Sequence, residues 1–116
     1  IIPSLLLNNY ISTSSVIVKN TPDVRFDENK ILVAVEDFDL WLKFISRGKK
    51  YMFIKIKLIN YRKNTKSISS QYNNRLRNIR SSYVISKFLI ENRCPKYNKY
   101  FFIKIIADFL RIKSLL

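Results

Sequence analysis

Apolar positions along the chain change their period several times, and each change marks an expected element. Ile11 to Lys19 is rich in Ile, Val, Thr and Ser and predicts a strand. Asn20 to Asn29 carries turn signals, including Thr21-Pro22-Asp23. From Glu36 to Arg47 the period becomes helical. Phe38, Trp41, Leu42 and Ile45 follow the i, i+3, i+4, i+7 template, and Gly48 supplies a stop. Tyr51 to Tyr61 alternates apolar and basic residues around Lys55 and Lys57, which predicts one bent strand or two short ones. Arg62 to Ser70 is a polar loop. Gln71 to Asn92 predicts a long helix with Tyr72, Leu76, Ile79 and Tyr83 in one stripe and Arg75, Arg77 and Arg80 interleaved. Pro95 separates it from a last helix, Lys99 to about Ser114. Strands come early and helices late.

Composition sharpens this outline. Hydrophobic residues make up 47% of the 116, enough for a core, and a single Gly excludes a Gly-rich phosphate loop. With one cysteine (Cys94) and no histidine, internal disulfides, Cys/His zinc sites and His-based nucleophilic catalysis are excluded within these residues. Acid–base chemistry falls to Asp, Glu, Lys, Tyr or water. The chain opens at Ile1, its only methionine is Met52, and it reads as a piece of a longer protein.

The formal charge of +14 is unevenly placed. Residues 1–42 carry −3, through Lys19, Arg25 and Lys30 against Asp23, Asp27, Glu28, Glu36, Asp37 and Asp39. Residues 43–116 carry +17, with only Glu91 and Asp108 opposing nineteen basic side chains. A basic tail of this kind favours phosphates, nucleic acid or an anionic membrane surface.

Glu36-Asp37-Phe38-Asp39 opens the first long helix. Carboxylates there offset the positive helix N-terminus by roughly 0.3–1 kcal/mol each. At about 100° per residue, Asp37 lies beside Trp41 and Phe44 at the edge of the apolar face. Asp39 falls on the far side, one turn below Lys43, where a solvent-facing i,i+4 ion pair is expected and an Asn substitution should be mild. Glu36 also falls off the apolar face. Asp37 is therefore the carboxylate aimed at the body of the protein, a placement that suits a general base. Asp37 and Asp39 also spell D-x-D, but on a helix they splay apart and do not clamp one cation.

Three ordered blocks resemble the C-terminal half of the catalytic domain of bacterial family 2 glycosyltransferases. The first is Asn9-Tyr10-Ile11-Ser12-Thr13-Ser14-Ser15-Val16-Ile17-Val18-Lys19. The second joins Phe26-Asp27-Glu28 to Glu36-Asp37-Phe38-Asp39-Leu40-Trp41-Leu42-Lys43 and then Gly48. The third is Tyr61-Arg62 followed by Ser67-Ile68-Ser69. Where many relatives place a histidine after Tyr-Arg, this chain has Asn64.

The resemblance implies an α/β fold, a fragment of a GT-A glycosyltransferase domain with few strands and the acidic-start helix, followed by a helical tail. Residues 1–70 would be the acceptor-side part of the catalytic domain and 71–116 the basic tail. It implies an inverting transfer of a sugar from a nucleotide sugar to a saccharide or lipid-linked acceptor, as in cell-surface polysaccharide biosynthesis. Asp37 would be the base and Glu36 its support. Trp41 would shape the acceptor pocket, and Arg62 would sit near the leaving diphosphate or a closing loop. A divalent cation, Mg or Mn, is expected for the full enzyme, with ligands mostly outside this chain, and the chain alone should be inactive. The expected location is the cytoplasmic face of the bacterial plasma membrane.

The last helix adds a partner question. Lys104, Asp108 and Arg111 share one stripe, while Phe101, Phe102, Ile103, Ile105, Ile106, Phe109, Leu110 and Ile112 cover the rest. A helix this apolar is expected against the donor-binding half outside these residues, a second copy or the membrane interface. The rival reading is a basic nucleic-acid-binding or structural interaction module. The acidic cluster and the lack of a helix-turn-helix, an RNP-like block or zinc ligands argue against nucleic acid.

Overall fold

The computed structural model describes residues 2–60, 62 and 73–113, with residues 111–113 described by backbone alone. Its elements are helices: α1 (Ile2–Leu7), α2 (Glu36–Ser46), α3 (Asn74–Glu91) and α4 (Asn98–Lys113). Short 3-10 turns lie at Thr13–Ser15, Lys30–Leu32 and Pro95–Tyr97. Among the described residues there is no strand. The expected α/β, GT-A architecture is thereby overturned.

Both predicted strands fail for identifiable reasons. In Ile11–Lys19, Ser and Thr close local hydrogen bonds instead of leaving the backbone for a sheet. Ser15 N donates to Ser12 O at 2.9 Å, Ser15 Oγ donates to the same carbonyl at 2.7 Å, and Val16 N donates to Thr13 O at 3.2 Å. Residues 51–60 keep their alternating pattern but have no sheet to join among the described residues. Alternation stabilises a strand only when one face is buried and the ladder is paired. Here both faces are open, with Met52 85% and Phe53 80% exposed. Tyr61, the loop from 63 to 70, Ser67-Ile68-Ser69, Asn64 and Tyr72 lie outside the described residues.

Helix α2 is the centre of the molecule. Five consecutive residues, Phe38, Asp39, Leu40, Trp41 and Leu42, are buried, which requires neighbours on every side of the helix. It packs against α3, while α4 packs against α1 and α3. Leu5 and Leu6 of α1, a helix not expected from the sequence, are fully buried and close the core with Leu32, Val35, Val84, Ile85 and Phe88. Gly48 ends α2 as its position predicted. It adopts φ 64, with Gly48 N donating to Ile45 O and Lys49 N to Phe44 O, both at 3.0 Å. That is the paired closure of a left-handed C-terminal cap.

Helix α3 presents a different face from the expected one. Leu76, Ile79 and Tyr83 are exposed, and Val84, Ile85 and Phe88 fill the core. The two stripes lie on opposite sides of the helix, and α2 and the Lys30–Leu32 turn take the second. Asn73 caps the start, accepting from Arg75 N at 2.8 Å. Arg80 is no solvated charge: its Nη1 donates to Val33 O at 2.6 Å. This clamps the turn before α2, where Ala34 adopts the left-handed φ of 71 that non-glycine residues rarely hold.

Candidate functional site

Two short-range devices set the start of α2. The Lys30–Leu32 turn, capped by the Asn29 side chain accepting from Ile31 N at 3.1 Å, brings Val35 N to Leu32 O at 2.9 Å. Val35 offers no side-chain cap, so the first helical amides need another acceptor. Asp37 supplies one, with Oδ1 accepting from Phe38 N at 2.7 Å.

The same carboxylate gathers two groups from far away in sequence. Asn9 Nδ2 donates to Asp37 Oδ1 at 3.3 Å, and Thr13 Oγ1 donates to Oδ2 at 2.8 Å. Asn9 is itself held, since its Oδ1 accepts from Ile11 N at 3.3 Å. Asp37 is half-buried and Thr13 exposed, so the group is fixed in position yet reachable from solvent. A carboxylate offers about four lone-pair sites. Among the described residues three are taken, which leaves Oδ2 able to receive a proton from an approaching hydroxyl. Asn9 and Thr13 were not expected as partners. The signal available was their place in the first of the three blocks.

The other expected site residues are dispersed. Glu36 does not point away from the body: it is half-buried, and its Oε2 is buried without a hydrogen-bond partner among the described residues. Trp41 is a core residue, 6% exposed and stacked on Phe44 with ring centroids 6.4 Å apart, so it lines no open pocket in this fold. Arg62 is exposed, with neighbours outside the described residues.

Asp39 departs furthest from expectation. The i,i+4 contact exists, with Lys43 Nζ 2.6 Å from Oδ2, but it faces inward and Asp39 is only 4% exposed. Lys87 of α3 lies 3.2 Å from Asp39 Oδ1 and 2.9 Å from Asp27 Oδ2, and Lys43 reaches Asp27 at 3.8 Å. The helical wheel missed this because α2 is enclosed on all sides. Burial alone would push the Lys87 ammonium down, but hydrogen bonds to Asp27 and Asp39 outweigh it and hold it up at about 12. Lys87 first, and then the Asn29 amide, hold Asp27 below the usual carboxylate range.

Asp37 and Asp39 thus take different partners and do not converge. Among the described residues no group of three or more Asp, Glu or Cys could hold a metal ion. Any divalent cation that the resemblance implies would take its ligands mostly from outside this chain.

The chain matches no family model, no curated protein and no solved structure. No helix among the described residues is long and apolar enough to cross a membrane.

Proposed function

We propose that this chain supplies the base-bearing, acceptor-side part of an inverting glycosyltransferase. One observation supports the reading above the others. The first and second blocks of the resemblance, 24 to 28 residues apart in sequence, meet through Asn9, Thr13 and the Asp37 carboxylate. In this role Asp37 Oδ2 takes the proton of an acceptor hydroxyl. The acceptor oxygen bonds to the anomeric carbon as the bond from that carbon to the diphosphate breaks, with inversion. Asn9 and Thr13 keep the carboxylate aimed. The nucleotide sugar and any divalent cation are bound outside residues 1–116. A saccharide or lipid-linked acceptor at the cytoplasmic face of the bacterial plasma membrane suits the basic surface.

The reading is carried by Asp37 and the two blocks, and it does not require the GT-A sheet. The test is Asp37→Asn in the protein that includes the donor-binding portion. Asn preserves the shape of the contacts, so the melting temperature should hold while transfer falls by about 10²–10⁴-fold. Near-normal transfer in that variant removes Asp37 as the base. Residues 1–116 alone should show no transfer and no tight binding of nucleotide sugars in calorimetry, and micromolar binding there would misplace the donor site.

A further inference from the structure

Helix α4 is folded with its polarity reversed. Lys104 and Asp108 face the core, 8% and 7% exposed, and pair with each other at 2.9 Å. Phe102, Ile103, Ile105, Ile106 and Leu110 face outward, each between 41% and 62% exposed. At about 100° per residue these five positions span an arc of about 160°, and Phe109 falls within it. The helix is about 24 Å long, so the arc is a continuous apolar strip on a convex surface. Strips of this kind on a folded chain mark an interaction surface.

Its surroundings identify the occupant. Arg93, Lys96 and Lys99 are exposed at the α3–α4 junction, where Glu91 is the one opposing charge. Lys96 Nζ lies 5.0 Å from the Tyr97 ring centroid and Lys99 Nζ 5.2 Å from that of Tyr100. Basic heads beside tyrosine rings at the end of an apolar strip are the chemistry of a membrane–water interface. A depression of about 410 Å³, lined by Leu89, Ile90, Arg93, Cys94, Pro95 and Asn98, opens at the same end. Of the eight acidic side chains, Asp23 is paired with Arg47, Asp27 and Asp39 with Lys87, and Asp108 with Lys104, so the exposed Glu28 and Glu91 offer a second copy little against the basic surface. A second copy brings a further +14 and is repelled, whereas an anionic surface is attracted.

The structure assigns the outer face of α4 as a docking surface for an anionic lipid membrane, with the helix lying in the interface plane and the Arg93–Lys99 junction against the headgroups. The Lys104 ammonium takes no part, because it is buried and paired. This surface stands independently of the glycosyl-transfer reading, and failure of either leaves the other intact.

Co-sedimentation of the full chain with vesicles tests it, comparing phosphatidylcholine alone with phosphatidylcholine mixed with phosphatidylglycerol. The chain should bind the anionic vesicles much more tightly, and added salt should weaken the binding. Phe102→Gln/Ile106→Gln alters only exposed positions. It should keep the helical circular dichroism and lose more than about ten-fold in affinity. Lys96→Gln/Lys99→Gln should lose about thirty-fold for anionic vesicles, at roughly five-fold per charge. No binding to anionic vesicles, equal binding to neutral ones, or parental binding by the Phe102/Ile106 variant overturns the assignment. So does a dimer in lipid-free sedimentation velocity that the same variant converts to monomer, which would give the face to a second copy.

Discussion

Lys87 Nζ stands 3.2 Å from Asp39 Oδ1 and so ties the C-terminal part of α3 to the first turn of α2. The contact is enclosed, and removing one charge leaves the other buried with less to balance it. Asp39→Asn should therefore destabilise the fold by about 1–3 kcal/mol, in contrast to the mild effect expected from the helical wheel. Urea unfolding followed by circular dichroism checks the size. Under the proposed glycosyl-transfer role, the loss should appear in stability and leave transfer by the folded fraction largely intact, the reverse of Asp37→Asn.

The Thr13 hydroxyl fastens the 3-10 turn to Asp37 by one exposed hydrogen bond of 2.8 Å. Thr13→Val keeps the branched shape and deletes the donor. The expected cost is about 0.5–1.5 kcal/mol. Faster amide exchange should appear at Ser15 and Val16, whose N–H groups close that turn. Unchanged exchange there would mean that the turn stands without Asp37.

The ion-pair network gives stability a defined pH window. Asp27 is held below its ordinary value, so its contribution is present above its unfolded pKa of about 3.9 and is lost as pH falls through the lower folded value. Lys87 is held up at about 12, so its contribution is complete below the unfolded value of about 10.4 and is lost as pH rises toward 12. Lys87→Met should be less stable than the parent at pH 7. The two should converge as pH falls through the lowered folded value of Asp27, where its protonated carboxyl no longer rewards the ammonium. Melting curves across pH test this, and a gap that persists in acid would assign the loss to packing.

Residues 51–60 make no backbone hydrogen bond to another segment among the described residues. Their amides should exchange within minutes at neutral pH, while those of Leu40 to Leu42 in α2 should be among the slowest in the chain. Mass-spectrometric hydrogen exchange on the monomer reads both. Protection of 51–60 comparable to α2 would show that the segment is paired.

The helices were legible where one physical signal dominated. The stripe from Phe38 to Ile45 and the single Gly48 marked α2, and Pro95 marked the break before α4. Faces were less legible than elements. Helix α3 carries apolar residues on two opposite sides, and only the fold decides that Val84, Ile85 and Phe88 turn inward while Leu76, Ile79 and Tyr83 do not. The wheel read Asp39 as exposed because it assumed one buried side, and α2 has neighbours all round. At the candidate site, Asp37 was legible from its position, but Asn9 and Thr13 reach it across 24 residues or more, a separation no local pattern encodes. The strand predicted over Ile11–Lys19 rested on β-branched composition and that over Tyr51–Tyr61 on alternation; both fit a half-buried pleated surface and neither itself provides a partner.

Cys94, the chain's single thiol, lines the depression at the base of α4 and is partly accessible. The native sequence thus carries one chemical handle at the end of the apolar strip. An environment-sensitive fluorophore attached there would shift its emission when the α3–α4 junction leaves water. Docking could then be followed in real time on the otherwise unaltered chain.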